Sequence, residues 1–380
     1  MIQERRFAPL AFLFTAVLAL LIFLGIEIFR VGAPPEISIV PAVPVIGKKT
    51  SIKIEVSEPV RGLSSVKVDL LQGDRTYTVA ERSYEPRSAF RFWGSRTASD
   101  TIQAAVGRDT LADLKPGNAV VRVSAGRAPT WLRKPEPAIQ EISLPVRLVP
   151  PSLQVLSTRI YVAQGGCEVV VYQVGDTAVR DGVKAGDWWF PGYPLPGGGK
   201  QNRFAIFAVP FDMPQPTVRL VVADAAGNEA ERSIIDKFFP RPPKTDTIEV
   251  TDAFISKVVP EILAHSPEIT ERGTPLESYL AINQELRKIN AAHLKDTAQK
   301  SQHAFLWNKP FMMMANAKVM ASFADRRTYL YQGRQVDRQD HLGYDQAVTA
   351  RAPVQAANSG IVVLASYFGI YGNAVVIDHG

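Results

Sequence analysis

Cysteine is nearly absent: Cys167 is the only one in 380 residues. An internal disulfide is therefore excluded, and the expected role of Cys167 is a buried structural thiol. Histidine is scarce too, with five in the chain. His265, His293 and His303 have no second ligand at metal spacing and are expected to be surface or hydrogen-bonded residues. No run of Lys or Arg occurs, and the net charge is only +6. This argues against a nucleic-acid partner. Scattered basic residues suit a neighbour of anionic lipid or wall polymer. The apolar fraction of 46% allows sizeable cores, and the length allows roughly two to four domains.

One long apolar run is present. Residues 7–26 are apolar or small throughout, with Thr15 the only hydroxyl. About 20 helical residues span roughly 30 Å, the thickness of a bilayer core. Arg5 and Arg6 precede the run, which favours a cytoplasmic N-terminus. The expectation is a cytoplasmic tail over residues 1–6 and a transmembrane helix over residues 7–29. That helix would anchor the chain in the bacterial cytoplasmic (inner) membrane as a single pass, with the bulk periplasmic or extracytoplasmic. A cleaved signal peptide is the competing reading. Its only candidate cleavage site, Val31-Gly32-Ala33, is followed at once by Pro34-Pro35.

Beyond a proline-rich linker the pattern turns to short strands. Ser51-Ile52-Lys53-Ile54-Glu55-Val56 alternates polar and apolar, as a strand with one buried face must. Val66 to Leu70, Tyr77 to Val79, Val121 to Val123 and the stretch from Gln140 repeat the pattern. Short strands separated by turns favour an antiparallel sandwich over residues 34–150. A second sandwich is expected over residues 151–240. Its Val218-Arg219-Leu220-Val221-Val222-Ala223-Asp224-Ala225-Ala226-Gly227-Asn228 run resembles the closing hairpin of bacterial immunoglobulin-like domains. Trp188, Trp189, Phe190 and Tyr193 stand beside Pro194-Leu195-Pro196-Gly197-Gly198-Gly199. They are expected to pack in a core next to a flexible loop, with an exposed glycan-binding loop as the alternative.

Residues 247–304 read as a helical connector. Thr251-Asp252 marks a helix start, and Pro260 is expected to kink or interrupt that helix. Thr274-Pro275-Leu276-Glu277 is a capping box with Pro at the first helical position. The connector is expected to be a spacer, with a lid over a groove as the alternative. Met312-Met313-Met314 beside Phe311 is expected to be strand core.

The chemistry-bearing residues lie last. His341-Leu342-Gly343-Tyr344-Asp345 separates an imidazole and a carboxylate by three residues, and both ligand types suit zinc. Gly343 permits a close backbone bend between them. Then follow Ala352-Pro353-Val354-Gln355-Ala356, Ser359-Gly360-Ile361-Val362-Val363, and Tyr371-Gly372-Asn373-Ala374-Val375-Val376-Ile377-Asp378-His379-Gly380. In this order the motifs resemble those of the lysostaphin-type zinc endopeptidases, which cut peptide cross-links of bacterial peptidoglycan. Ser322-Phe323-Ala324-Asp325-Arg326-Arg327 resembles the family's S-x-F-G-x-R lead-in, with Ala324 where Gly is usual.

The resemblance spans about residues 305–380, which it identifies as the N-terminal part of a zinc peptidase domain. It implies Zn2+ as cofactor, His341 and Asp345 as two of three protein ligands, and peptidoglycan as partner. It also implies that Tyr371 and Asn373 shape the substrate groove and that His379 is structural or supports a ligand. The family's catalytic histidines and third ligand lie in downstream segments, so the chain is expected to be an incomplete fragment that is inactive alone. The expected fold class is mainly β: a transmembrane helix, two immunoglobulin-like sandwiches, a short helical connector and a partial antiparallel β peptidase domain. The competing function is a catalytically degenerate envelope scaffold that activates another wall hydrolase, with envelope or division proteins as partners.

Overall fold

The structure, a computed structural model, describes residues 7–29, 32–85, 95–130 and 132–380. The expected cytoplasmic tail lies outside them. The described chain is mainly β, and it divides into two compact units.

Helix α1 runs over Phe7–Phe29, 23 residues. Its apolar side chains face outward all round: Phe12, Phe14 and Leu21 are 76%, 69% and 60% exposed. Thr15 returns its hydroxyl to the carbonyls of Ala11 and Phe12. Among the described residues no helix is long and apolar enough to cross a membrane.

The first unit holds two sandwiches. Strands β1 (Glu36–Pro41), β2 (Thr50–Ser57) and β5 (Ser99–Val106) form one sheet in the order β1-β2-β5. Strands β3 (Leu63–Gln72), β4 (Arg75–Ser83), β6 (Gly117–Arg127) and β7 (Ala138–Val146) form the other, ordered β4-β3-β6-β7. All pairings are antiparallel. The alternation in β2 is realised: Ile52, Ile54 and Val56 are buried while Ser51, Lys53 and Glu55 are exposed. They meet Val66, Val68, Leu70, Val121 and Val123 of the facing sheet in one core. Each such side chain stabilises the fold by about 1.5–3 kcal/mol relative to exposure.

In the second sandwich, β8 (Leu153–Val155), β10 (Cys167–Val174), β13 (Tyr193–Pro194) and β14 (Asn202–Ala208) form a sheet ordered β13-β14-β10-β8; β9 (Tyr161–Ala163) lies outside it. Strands β11 (Ala178–Ala185), β12 (Trp188–Pro191), β15 (Val218–Asp224) and β16 (Glu229–Ser233) form a sheet ordered β12-β11-β15-β16. A buried polar staple joins the sheets. The phenol of Tyr172 donates to Asp181, and Arg203 Nε donates to the same carboxylate at 3.0 Å. Burial, then Asp181, pushes the Tyr172 hydroxyl far above its ordinary value. The β15–β16 turn explains its sequence. Asp224 Oδ1 accepts from the backbones of Ala226 and Asn228, both at 2.9 Å, and Gly227 takes a φ of +79°.

Two expectations fail in this sandwich. Cys167 is exposed, not buried. In β10 the inward positions are Val170, Tyr172 and Val174, so Cys167 falls on the opposite parity. The aromatic cluster is strand β12 rather than core beside a loop: Trp188 is 64% exposed, and Trp189 lies under the Arg180 guanidinium, 4.1 Å from its centroid.

The second unit is built largely from residues 238–380. After β17 (Lys237–Phe239), strand β18 (Thr245–Glu249) pairs in parallel with β20 (Asp325–Tyr331), which pairs antiparallel with β21 (Arg334–His341). Two separate strand pairs follow: β19 (Lys318–Ala321) with β22 (Asp345–Ala347), and β23 (Ile361–Tyr367) with β24 (Asn373–Asp378).

The connector contains α2 (Asp252–Ala264), α3 (Pro275–Ala281), a π-turn over Ile282–Leu286, and α4 (Arg287–Ala298). Thr251 caps α2, and the Thr274/Glu277 capping box is formed. Helix α2 continues past Pro260 to Ala264. The connector is not a spacer. Ile255, Val259, Tyr279, Ile282 and Leu286 share a core with Tyr329 of β20. Met312 and Met313 are 62% and 58% exposed and lie in no strand, contrary to the strand-core expectation.

Candidate metal site

Strands β20 and β21 are joined by a two-residue turn. Gln332 and Gly333 have φ of 50° and 73°, both left-handed, as a tight hairpin of this twist requires. Antiparallel pairing sets Asp325 opposite His341, Arg327 opposite Gln339, and Tyr329 opposite Asp337. With a side-chain period of two, these six residues share one face of the sheet. That face also packs the connector, since Tyr329 belongs to the connector core and Asp337 accepts hydrogen bonds from Asn283 and Gln284 at 2.6 and 3.1 Å.

His341 ends β21 and Asp345 opens β22. The structure brings them together: His341 Nε2 lies 3.3 Å from Asp345 Oδ1. Nε2 is buried and, among the described residues, has no hydrogen-bond partner, an arrangement that costs free energy unless a ligand supplies one. Arg327 Nη2 donates to the other oxygen, Oδ2, at 2.6 Å. A Cβ at Gly343 would meet the imidazole Cε1 and Nε2 at 4.0 Å, an ordinary van der Waals contact, so the space does not require glycine there.

Preceding β20, Ala324 donates its backbone N–H to the His341 carbonyl at 2.7 Å with φ of +69°. This left-handed conformation is one that glycine adopts readily. Asp325, buried, accepts from Ser322 N at 2.8 Å and fixes the turn.

Burial, then the Arg327 cation, holds the His341 imidazole below its usual range, with Asp345 and Asp325 pulling the other way. The neutral ring is the form that binds metal. The distances fit zinc as well. Two ligands about 2.0–2.1 Å from a tetrahedral ion lie about 3.3 Å apart, the spacing between Nε2 and Oδ1. A zinc site needs at least a third ligand. Among the described residues no group of three or more His, Cys, Asp or Glu is placed to hold a metal.

The other expected residues lie elsewhere. Tyr371 is 51% exposed, in a short 3-10 turn over Gly369–Tyr371, stacked on Phe368 at 5.6 Å. Asn373 opens β24 opposite Tyr367. His379 Nδ1 bonds the Ser359 carbonyl at 2.8 Å, and its ring meets Phe311 edge-on at 4.9 Å. His265 stacks on Tyr367 and His293 packs edge-on to Phe368. Sequence reasoning assigned no role to Arg327, although it lies two residues from Asp325 and so on the same strand face.

No family model matches this chain, and no curated protein matches it. Among solved structures it is similar to SGBP-B of the Bacteroides ovatus mixed-linkage glucan utilization locus, in complex with a mixed-linkage heptasaccharide. That likeness has 12% identity and a TM-score of 0.17, covering 58% of this chain and 51% of that one. The chain thus spans about half the length of that protein. It is also similar to murine CEACAM1b, at 11% identity and a TM-score of 0.23, over 53% of this chain and 100% of the other. At these scores neither likeness bears on fold or function.

Proposed function

We propose that the chain belongs to a membrane-anchored, lysostaphin-type zinc endopeptidase that hydrolyses peptide cross-links of bacterial peptidoglycan. The observation that carries this reading is the buried Nε2 of His341, which lacks a hydrogen-bond partner among the described residues and lies 3.3 Å from Asp345 Oδ1. In this reading His341 and Asp345 hold the ion, and Arg327 orients Asp345 through its second oxygen. A zinc site needs a third ligand, and none stands beside this pair among the described residues. Zinc held there would supply Lewis-acid polarisation of a scissile carbonyl. The resemblance also assigns Tyr371 and Asn373, on the separate β23–β24 hairpin, to the substrate groove.

The anchor belongs to the same proposal. What supports it is the unbroken apolar run of residues 7–26 with Arg5 and Arg6 before it. The two sandwiches, read as immunoglobulin-like domains, carry the second unit on the periplasmic side.

The test is digestion of purified sacculi by the full-length protein, followed by turbidity. The expected result is clearing that chelation abolishes, zinc restores, and His341→Ala removes. Stoichiometric zinc binding without any clearing would replace the enzyme with the scaffold reading. Clearing that survives both chelation and His341→Ala would overturn the site assignment.

A further inference from the structure

Among the described residues no strand pairing joins the β20–β21 sheet, which carries His341, to the β23–β24 hairpin, which carries Tyr371 and Asn373. Their relative placement must come from another element. The connector touches both with buried polar side chains.

At one end, Asn290 of α4 is 2% exposed. Its Oδ1 accepts the backbone N–H of Ile370 at 3.1 Å. Asparagine is a poor helix former, and a buried amide is unfavourable unless hydrogen-bonded, so this residue is explained by its partner. The fit is mutual. Gly369 has φ of +46°, and any Cβ there would overlap the Asn290 amide. Next to it, His293 packs on Phe368 at 5.3 Å and His265 on Tyr367 at 4.4 Å. Phe368 in turn stacks on Tyr371.

At the other end, Asn283 is 5% exposed and donates Nδ2 to Asp337 Oδ2 at 2.6 Å. Arg287 Nη2 donates to the Asn283 Oδ1 at 2.6 Å, so the amide orientation is fixed. Asp337 lies on the strand face that ends in His341. Asn283 and Asn290 are about two helical turns apart and share one face of the connector. The π-turn over Ile282–Leu286 brings consecutive Asn283 and Gln284 to the same carboxylate. Such turns recur at functional sites.

We infer that the helical connector is part of the catalytic architecture, with Asn290 and Asn283 as positioning residues that hold the Tyr371 turn in fixed relation to His341 and Asp345. The inference rests on the peptidase reading for its catalytic consequence, but the clamp itself is a property of the fold. Its substrate is the same cross-linked peptide. The clamp sets where the peptide lies against the ligand pair, so its loss falls on substrate placement and leaves the metal held.

The experiment compares Asn290→Ala and Asn290→Asp in the full-length protein. Aspartate keeps an acceptor for the Ile370 N–H; alanine does not. Hydrogen exchange of segment 367–373 is measured without substrate, beside zinc content and steady-state kinetics on a soluble cross-linked peptide. Asn290→Ala is expected to lose protection in segment 367–373 while β20 stays protected and zinc stays bound. KM is expected to rise about tenfold, the signature of lost substrate binding rather than of lost chemistry. Asn290→Asp should restore both protection and KM. Unchanged protection in Asn290→Ala overturns the clamp. Lost protection with unchanged KM overturns the positioning role, as does a fall in kcat alone that tracks the fraction folded. A zinc-loaded wild type with no activity defeats the peptidase reading and with it the catalytic role, while the exchange result still decides the clamp.

Discussion

Replacing Gly369 by alanine tests the connector contact in free-energy terms. Two costs follow from the structure. An alanine held at φ of +46° carries about 1–2 kcal/mol of left-handed strain. Its Cβ would also overlap the Asn290 amide. Asn290 must then move and leave the partly buried Ile370 N–H unpaired, a further cost of about 1–3 kcal/mol at most. The sum is about 2–5 kcal/mol, a large share of the 5–15 kcal/mol that typically stabilises a domain. Gly333 is the control. Its φ is +73°, yet nothing lies within 4 Å of an added Cβ. Gly333→Ala should therefore cost the strain alone, about 1–2 kcal/mol. Hydrogen exchange in increasing denaturant, read on peptides from α4, β20 and β23, gives both values, with sandwich peptides as internal reference. Equal destabilisation by the two substitutions would show that Asn290 does not hold the turn.

Three further outcomes are expected. Arg327→Gln removes the guanidinium from Asp345 Oδ2 and should weaken zinc affinity of the full-length protein about 10–100-fold, measured by competition with a chelating dye. The His341 ring should titrate below 6.5 by NMR in the metal-free protein, because burial and Arg327 disfavour its charged form. Its unfolded form takes up a proton first, so the stability of the second unit should fall as pH drops below about 6.5 and level off below the lowered folded value. A periplasmic reporter fused after Ala33 should be active and one fused before Arg5 inactive; a soluble mature protein beginning near Pro34 would refute the anchor.

Much of the secondary structure was legible because it is written in local patterns. The alternation of residues 51–56 gave β2, and its faces came out as the period of two requires. Thr274 and Glu277 announced their helix through a reciprocal bond three residues apart. Asp224, Gly227 and Asn228 announced a turn for the same local reason. What escaped depends on pairing at a distance. Cys167 has the composition of a buried residue, but the register of β10 points it outward. The methionines beside Phe311 lie in no strand, and hydrophobicity alone does not supply a partner. Of the candidate site, the His341–Asp345 pair is a five-residue motif and could be read directly. Arg327 reaches Asp345 across 18 positions and Asn290 reaches Ile370 across 80. Neither spacing follows any helical or strand period.

The central claim is that His341 and Asp345 are zinc ligands, and zinc content per chain tests it most directly. In the full-length protein, native mass spectrometry should find one zinc in the wild type and none in His341→Ala or Asp345→Ala. His379→Ala should keep its zinc, because His379 is engaged with Ser359 and Phe311. Full zinc occupancy in His341→Ala, or zinc lost only in His379→Ala, would contradict the assignment.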